Sequence, residues 1–377
     1  MTGLYIHFPF CQSKCNYCDF YSIPLAKYSH LMKDYETALP KELVWESKKD
    51  WGKITSIYLG GGTPSLMTPS ALSRLLDTTY AHFFISPDCE ITMEANPGTV
   101  TLSQLKSYRN AGVNRLSIGV QSLKNHELIT LGRIHSRDDV IKAVDNLRDA
   151  GFSNIGIDLI YGIPGQNTEE WLQTLEEAIA LEPEHLSCYL LQLDDHVPLA
   201  KQVVQGELAL LDEDTESEMY YSALKTLKDR GYQHYELSNW SLDGFHCRHN
   251  LNYWTGGAYL GIGAGAVSYK DGIRYVNQPN VEEYAVRIAS GEKPVQEEME
   301  RMNPRDRAAE AMILGLRLIK GINIPEYGKL YEIDPFTVFD TAIEWGVREG
   351  LLKNEPPYLS LTPKAYFLSN LVFEKFI

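Results

Sequence analysis

The alternation of strand-like and helix-like segments constrains the fold of this chain more than any other feature. Short runs rich in Val, Ile, Leu and Tyr predict six strands. Segments with helical spacing lie between them, such as "PSALSRLLDTTYAHF" and "RDDVIKAVDNLRDAG". This order predicts an α/β fold with parallel strands joined by right-handed helical crossovers. The six predicted strands are residues 3–8, 54–60, 89–96, 114–121, 154–162 and 185–193.

Two architectures satisfy this alternation, an open doubly wound sheet and a closed or partly closed barrel. Both place functional groups at the carboxyl ends of the strands. The unusual residues of this chain follow the predicted strands in that way. Three cysteines follow the first strand, "GGGTP" follows the second and "EANP" closes the third, while Gln121 and Asp158 lie near the ends of the next two. We therefore expect these residues to lie close together at the carboxyl end of the sheet or barrel.

The length of 377 residues predicts a large domain of roughly 200–250 residues and a smaller one. We predict a core barrel over residues 1–235, with a helix over 212–231 and a last strand at "YQHYELSNW". A connecting segment spans 236–300. Residues 301–377 show amphipathic helices, a hairpin at "GLLKNEPPYLSLTP" and a final helix, which predicts a small helical, winged-helix-like domain.

Charge and hydropathy exclude several classes of function. The 35 basic and 50 acidic residues give a formal charge of -15, which argues against binding a phosphate backbone, so no nucleic-acid partner is expected. No apolar run approaches the roughly 18 residues of a membrane-spanning helix. Nothing ahead of "LYIHF" reads as a signal peptide, so the predicted location is the cytoplasm.

The stretch "CQSKCNYCDF" (11–20) holds three of the six cysteines. The cytosol keeps thiols reduced, so this cluster indicates a metal centre rather than disulfides. One interpretation is a zinc site with His7 as the fourth ligand. The other is a 4Fe–4S cluster, in which three thiolates leave one iron open for a substrate or cofactor. The place of His7 in a strand, and the lack of a second cysteine pair downstream, favour the cluster.

The C-x3-C-x2-C loop together with "GGGTP" resembles the radical S-adenosylmethionine superfamily. More closely, "YIHFPFCQSKCNYCDF", "YLGGGTPS", "EANPGT", "RLSIGVQS" and "GIDLIYGIPGQ" resemble the oxygen-independent coproporphyrinogen III oxidase group. The resemblance implies a partial (βα)6 TIM-like barrel. It also implies a 4Fe–4S cluster on Cys11, Cys15 and Cys18, whose open iron chelates S-adenosylmethionine.

The same resemblance implies which residues contact S-adenosylmethionine. Glycines allow close approach of backbone amides, carboxylates suit an ammonium group or ribose hydroxyls, and a guanidinium suits a carboxylate. Taken singly, each such residue is more often structural. The implied contacts are Tyr5, Tyr17, Gly60, Gly61, Gly62, Thr63, Glu94, Gln121, Arg133, Asp158, Gln192 and Val267.

Two departures from the oxidase pattern shift the expected function. The oxidase resemblance calls for a fourth cysteine where this chain has Phe20, and for a long N-terminal extension ahead of the first cysteine, which the position of Cys11 leads us not to expect here. The segment "HCRHNLNYWTGG" (246–257) contains an H-N-x-x-Y-W pattern that resembles the haem chaperone branch of the group. That resemblance implies haem as a further cofactor, with His249 as the candidate iron ligand. A thiol can also ligate haem iron, which makes Cys247 a second candidate. The residue chemistry alone favours a packed, hydrogen-bonded histidine.

Two functional hypotheses follow from these residues. The first is a haem chaperone that binds a 4Fe–4S cluster, S-adenosylmethionine and haem, and transfers haem to acceptor apoproteins, with the membrane surface as one place of transfer. The second is a radical enzyme that decarboxylates coproporphyrinogen III to protoporphyrinogen IX. The missing cysteine and the H-N-x-x-Y-W pattern favour the chaperone.

Overall fold

The computed structural model describes residues 2–299 and 301–377, with the backbone alone for 295–299. The strands are β1 (Thr2–Phe8), β2 (Phe10–Cys11), β3 (Ile23–Pro24), β4 (Ile54–Gly61), β5 (Ile85–Ala95), β6 (Arg115–Gln121), β7 (Ile155–Tyr161), β8 (His185–Leu190), β9 (Gln233–Glu236), β10 (Asn239–Ser241), β11 (Ala258–Ile262), β12 (Val267–Lys270), β13 (Ile273–Asn277), β14 (Val295–Met299), β15 (Ile322–Asn323), β16 (Leu352–Glu355) and β17 (Tyr358–Leu361).

Helices connect and flank these strands. They are α1 (Leu25–Tyr28), α2 (Met32–Glu46), α3 (Pro69–His82), α4 (Leu102–Ala111), α5 (Asn125–Thr130), α6 (Arg137–Asp149), α7 (Thr168–Ala180), α8 (Pro198–Val204), α9 (Glu213–Asp229), α10 (Arg248–Trp254), α11 (Val281–Ala289), α12 (Pro304–Leu316), α13 (Ile324–Tyr331), α14 (Pro335–Val338), α15 (Asp340–Arg348) and α16 (Ser369–Phe373).

The six predicted strands correspond to β1, β4, β5, β6, β7 and β8. They lie side by side in chain order, and every neighbouring pair is parallel. Because right-handed crossovers in an unreversed order place all helices on one face, this topology is of the barrel type; a doubly wound sheet reverses its strand order. The sheet ends at β14 and β9 without joining, so the predicted partial (βα)6 barrel is confirmed.

Further strands extend both edges of this sheet. Beyond β1, β11 pairs in parallel and β12, β13 and β14 follow as antiparallel strands, so the sheet continues into the segment predicted as a connection. The predicted division of the chain at residues 235 and 300 stays a prediction.

The prediction of one last strand over 232–240 is wrong. Two short antiparallel strands, β9 and β10, occur there, because the Glu236 carboxylate accepts a hydrogen bond from the Ser238 amide (3.2 Å) and stabilises a reversal.

Side-chain caps fix where the outer helices begin. Thr101, Ser136 and Asn167 each form a reciprocal capping box at the start of α4, α6 and α7. Such a cap contributes on the order of 1 kcal/mol. Gly112 ends α4 in the left-handed region (φ 115°), where a side chain is disfavoured. The crossovers therefore begin and end at positions that the sequence specifies locally.

The two faces of the sheet differ in chemistry. The outer face packs on apolar helix residues such as Leu105 and Trp171, both fully buried. The inner face instead carries buried polar side chains on successive strands, among them Ser56, Glu90 and Arg115. Ser56 and Glu90 have hydrogen-bond partners in α10, His249 Nδ1 (2.9 Å) for Ser56 and the Arg248 and His249 backbone amides (3.1 and 3.2 Å) for Glu90. Arg115 leaves Nε and Nη1 without a hydrogen bond among the residues described. The inner face is therefore polar, whereas the outer face is apolar.

The C-terminal residues form a second core around Met312, Leu359 and Phe376. It joins α12–α16 to the small sheet β15–β17–β16, in which the predicted hairpin is present as β16 and β17. Backbone hydrogen bonds connect this unit to the barrel, from Leu237 to Arg317 and from Ile319 to Tyr235 (both 3.1 Å).

Among residues 2–299 and 301–377, no helix combines the length and the apolar character needed to cross a membrane.

Candidate cofactor site

A cavity of about 410 Å³ opens at the carboxyl ends of the parallel strands. Alternate residues of a strand point to the same face, so β6, β7 and β8 each present every second side chain to it. Most residues implied by the family resemblance line this one cavity. They are Cys11, Cys15, Tyr17, Cys18, Gly61, Gly62, Thr63, Glu94, Gln121, Arg133, Asp158 and Gln192.

Four of the predicted residues do not line the cavity. Tyr5 lies behind it, with its hydroxyl on His7 Nδ1 (2.9 Å). Gly60 is buried in β4, and Val267 pairs with Val276 in the antiparallel extension of the sheet. The fourth is His249 of the H-N-x-x-Y-W pattern, which lies in α10. The cofactor contacts assigned to these residues stay predictions.

Neighbouring elements hold the cysteine loop in place. Its two ends pair as short parallel strands, β2 and β3. Within the loop, the Asn16 amide donates to the Leu131 carbonyl (3.0 Å) and the Asn16 side chain donates to the Thr130 carbonyl (3.2 Å). The loop therefore rests on the C-terminal end of α5, the short helix that follows β6.

Hydrogen-bond donors face two of the thiols and are themselves connected. Thr63 Oγ1 donates to Cys11 Sγ (3.5 Å), and Arg133 Nη1 donates to Cys15 Sγ (3.4 Å). The side chain of Asn96 joins the two donors. Its Nδ2 donates to Thr63 Oγ1 (3.0 Å), and its Oδ1 accepts from Arg133 Nη2 (2.5 Å). The network places positive and polar groups where thiolates bound to iron carry negative charge.

Burial raises the pKa of two of the thiols, those of Cys11 and Cys18, and so favours their protonated form while no metal is bound. It raises the pKa of Cys18 to about 11, and the neighbouring cysteines add to the rise. Metal ligands must be thiolates, so loading this site releases protons.

The spacing of the thiols favours a cluster over a single zinc ion. A tetrahedral zinc site with bonds of about 2.3 Å brings its sulfurs to about 3.8 Å of one another. The three sulfurs here do not all lie within 4.8 Å of one another. His7 is also engaged at both ring nitrogens, by the Tyr5 hydroxyl (2.9 Å) and the Tyr21 carbonyl (3.0 Å). The residues thus fit a larger, three-point iron–sulfur cluster better than the zinc interpretation.

Two half-buried carboxyl groups face the cavity from β5 and β7, the strands on either side of β6. Glu94 accepts hydrogen bonds from the Tyr58 hydroxyl (2.8 Å) and from the Gly61 amide (3.2 Å). Burial raises the pKa of Glu94 to about 7, and the nearby Asp158 adds to the rise. Asp158 accepts from Ser117 Oγ (3.0 Å), and burial raises its pKa as well. A cationic or hydroxyl-bearing ligand in the cavity would supply the donors that these carboxylates need.

Sequence reasoning missed two residues that shape the cavity. Tyr58 orients Glu94, and Asn96 links the donors of the cysteine loop. A signal existed for each of them. Tyr58 is two residues before Gly60 and so shares its face of the strand, while Asn96 belongs to the "EANP" motif that drew attention to Glu94.

His249 lies in α10 beneath the cavity and is 2% exposed. Its Nδ1 meets Ser56 Oγ (2.9 Å), its Nε2 meets the Tyr253 hydroxyl (3.1 Å), and its ring stacks on Tyr58 at 5.0 Å. Burial lowers the pKa of His249 to about 3, so the ring is neutral. Coordination to haem iron would require the Tyr253 hydroxyl to leave Nε2. The next residue of the motif, Asn250, does line the cavity.

Comparisons with known proteins agree with this geometry. The model of the radical SAM superfamily matches residues 5–178, and the model of the HemN C-terminal domain matches residues 302–368. The solved structure of Escherichia coli coproporphyrinogen III oxidase (HemN), a radical SAM enzyme, superposes with a TM-score of 0.85 over 100% of this chain and 89% of that one. At 21% identity this likeness shows the fold. The fold and the three-cysteine loop thus define a radical SAM protein, and that superfamily uses a 4Fe–4S cluster and S-adenosylmethionine.

Curated relatives narrow the assignment. Heme chaperone HemW of Lactococcus lactis is 36% identical over 100% of this chain and 97% of its own length. The HemW of Bacillus subtilis is 33% identical over 100% and 99%, and that of Escherichia coli is 39% identical over 72% and 71%. The chain belongs to the HemW family.

Proposed function

We propose that this protein is a haem chaperone that holds a 4Fe–4S cluster and S-adenosylmethionine in the barrel cavity and passes haem to acceptor apoproteins. The observation that supports it most is identity of 33–36% along the full chain to relatives named heme chaperones. We place the function in the cytoplasm, with transfer to some acceptors at the membrane surface.

The cysteine loop agrees with this proposal. Phe20 occupies the position at which the oxidase resemblance calls for a fourth cysteine, and its side chain is 66% exposed at the rim of the loop. An exposed phenyl ring cannot ligate iron or transfer a proton. The loop therefore offers the three cluster thiols without the additional thiol expected of the oxidase.

The cavity residues have distinct roles in holding the cofactors. When bound, a 4Fe–4S cluster with S-adenosylmethionine supplies one-electron chemistry. Thr63 and Arg133 donate hydrogen bonds to the cysteine sulfurs and so stabilise their thiolate form. Glu94 and Asp158 accept from the donors of a bound ligand, and the glycine loop after β4 lets its backbone approach closely. These roles are our assignments.

Coproporphyrinogen III oxidation is the second candidate. The superposition on the Escherichia coli oxidase supports it at the level of fold. The exposed phenylalanine at the fourth cysteine position disfavours it.

One experiment separates the two functions. The protein is reconstituted anaerobically with iron and sulfide and supplied with S-adenosylmethionine and a reductant. One sample then receives coproporphyrinogen III and another receives haem. We expect a stable haem absorption band that is lost when an apo-haemoprotein is added, and no catalytic formation of protoporphyrinogen. Turnover of coproporphyrinogen, with no haem bound, would instead establish the oxidase.

The pKa of Glu94 predicts how cofactor binding depends on pH. Below about 7 its carboxyl group is protonated and loses acceptor capacity, so the affinity for S-adenosylmethionine should fall as the pH drops through 7. The loss approaches roughly tenfold per pH unit for a single required deprotonation. Calorimetric titration of the reconstituted protein between pH 6 and 8.5 measures it.

The matched variant is Glu94→Gln, which keeps the size of the side chain and cannot titrate. It should bind S-adenosylmethionine more weakly at pH 8 and lose the part of the pH dependence that Glu94 causes. The titration of the cofactor's own amino group remains in both proteins. Identical profiles for the two proteins would remove Glu94 from the site.

A further inference from the structure

A histidine and two glutamates converge outside the cofactor cavity. His126 and Glu127 lie in α5, after β6, and Glu170 lies in the first turn of α7, after β7. One ligand atom from each of the three residues lies within 4.8 Å of the other two. Within the described ranges, no other group of three His, Cys, Asp or Glu side chains converges so closely.

Glu127 has one carboxylate oxygen that makes no close hydrogen bond. Its side chain is 1% exposed, and its Oε2 accepts from the Ser122 hydroxyl. Its Oε1 is buried without a hydrogen-bond partner among the residues described. The side-chain amide nitrogen of Gln166 lies near Glu127 and is likewise buried without a close hydrogen bond, so it only weakly compensates this carboxylate. A buried carboxylate oxygen without a close partner destabilises the fold, and a bound cation would offset that cost.

The ligand atoms of the other two residues contact each other. Glu170 uses Oε2 for its cap, accepting from the Asn167 amide (3.3 Å) and side chain (3.0 Å). Its Oε1 is turned to His126 Nε2, 3.5 Å away. The His126 side chain is 63% exposed, so an ion can enter from solvent on that side. One nitrogen and two carboxylate oxygens, one from each residue, thus lie within 4.8 Å of one another.

We propose that His126, Glu127 and Glu170 bind a divalent transition-metal ion, Zn²⁺ or Mn²⁺, with water completing the coordination. Imidazole suits transition metals, and carboxylates suit hard divalent ions, so a mixed set selects this class over Ca²⁺ or Mg²⁺. The charge of the ion balances the two carboxylates. Nothing in the proposed function requires this site.

The position of the site gives the ion a structural consequence. It joins α5 to α7 across two neighbouring crossovers. The C-terminal end of α5 accepts both hydrogen bonds of Asn16 from the cysteine loop. Fixing α5 therefore steadies the support of the loop, and ion binding should slow loss of the iron–sulfur cluster.

Binding is measured with Mn²⁺ on the cluster-loaded protein, in which the cysteines are occupied. The disappearance of the room-temperature electron paramagnetic resonance signal of free Mn²⁺ reports the bound ion. We expect one ion per chain, and affinity reduced about tenfold or more by His126→Ala and by Glu127→Gln. The exposed His82, at the end of α3, provides the control His82→Ala, which should bind as the parent does.

A second measurement distinguishes loss of the bound ion from a general destabilisation of the variant protein. Bleaching of the cluster in air is followed with and without Mn²⁺. The ion should slow bleaching in the parent and in His82→Ala, and leave His126→Ala unchanged. Circular dichroism checks the fold of each variant; His126 is exposed enough for the alanine to be tolerated. Absence of binding up to millimolar Mn²⁺ and Zn²⁺, or equal binding by parent and His126→Ala, would overturn the proposal. Neither result bears on haem transfer.

Discussion

Cys15→Ala is expected to abolish the brown absorption of the reconstituted protein and to reduce its bound iron from about four atoms per chain to background. A four-iron cluster held by three thiolates has no protein ligand to spare. Cys15 Sγ is also the sulfur that Arg133 contacts, at 3.4 Å. The measurement is the visible spectrum after anaerobic reconstitution, together with iron and sulfide assays.

Cys89→Ala is the matched control for that experiment. Cys89 lies in β5, is 5% exposed and does not line the cavity. Its loss removes one thiol from the chain while the loop keeps all three. We expect a normal cluster with a modest loss of stability from the small core cavity. An unchanged spectrum in Cys15→Ala would return the loop to zinc or to a structural role.

Gly62→Ala should destabilise the protein by on the order of 3 kcal/mol and prevent full loading of the cluster. The Gly62 amide donates to the Phe8 carbonyl (2.9 Å), so the glycine loop lies directly against the base of the cysteine loop. A Cβ atom added there lies 2.7 Å from the Phe10 oxygen and 2.8 Å from the Pro9 carbonyl carbon. These are backbone atoms, so the two loops must separate. Denaturant unfolding and iron content measure the effect.

Gly98→Ala tests whether the effect comes from contact or from backbone strain. Gly98 has a positive φ of 80°, with nothing within 4 Å of an added Cβ. Its replacement should cost about 1–2 kcal/mol from the left-handed conformation alone and leave cluster loading intact. If both variants lose the cluster equally, close packing of the two loops is not what positions the cysteines.

Local patterns in the sequence determined the elements of the barrel. The predicted strands at 54–60 and 185–193 are present as Ile54–Gly61 and His185–Leu190. Capping residues such as Ser136 mark the starts of helices. Hydrophobic periodicity and caps act within one turn or a few residues, so they can be recognised without knowledge of the fold. The prediction failed at 232–240, where a bond between a side chain and the backbone reverses the chain.

The motifs also identified most of the cavity, because several of them together carry the family resemblance that implied these residues. The interactions between distant segments were not predictable in the same way. Asn96 and Arg133 meet across 37 positions, and Ser56 meets His249 across 193. Whether a polar residue faces the cavity, or is already satisfied behind it, depends on such partners.

The sequence alone therefore predicted the class of fold, through the strand–helix alternation and the family resemblance, and singled out the three clustered thiols and the carboxylates at the strand ends that line the cavity. The binding of a cluster by these thiols stays a prediction. The tertiary structure decided three other matters. It showed that His249 has both ring nitrogens occupied, that Asn96 connects the donors to the thiols, and that His126, Glu127 and Glu170 converge. The physical reason is that hydrogen bonding and ion binding depend on distance in space. Strand order and crossovers set that distance between residues far apart in the chain.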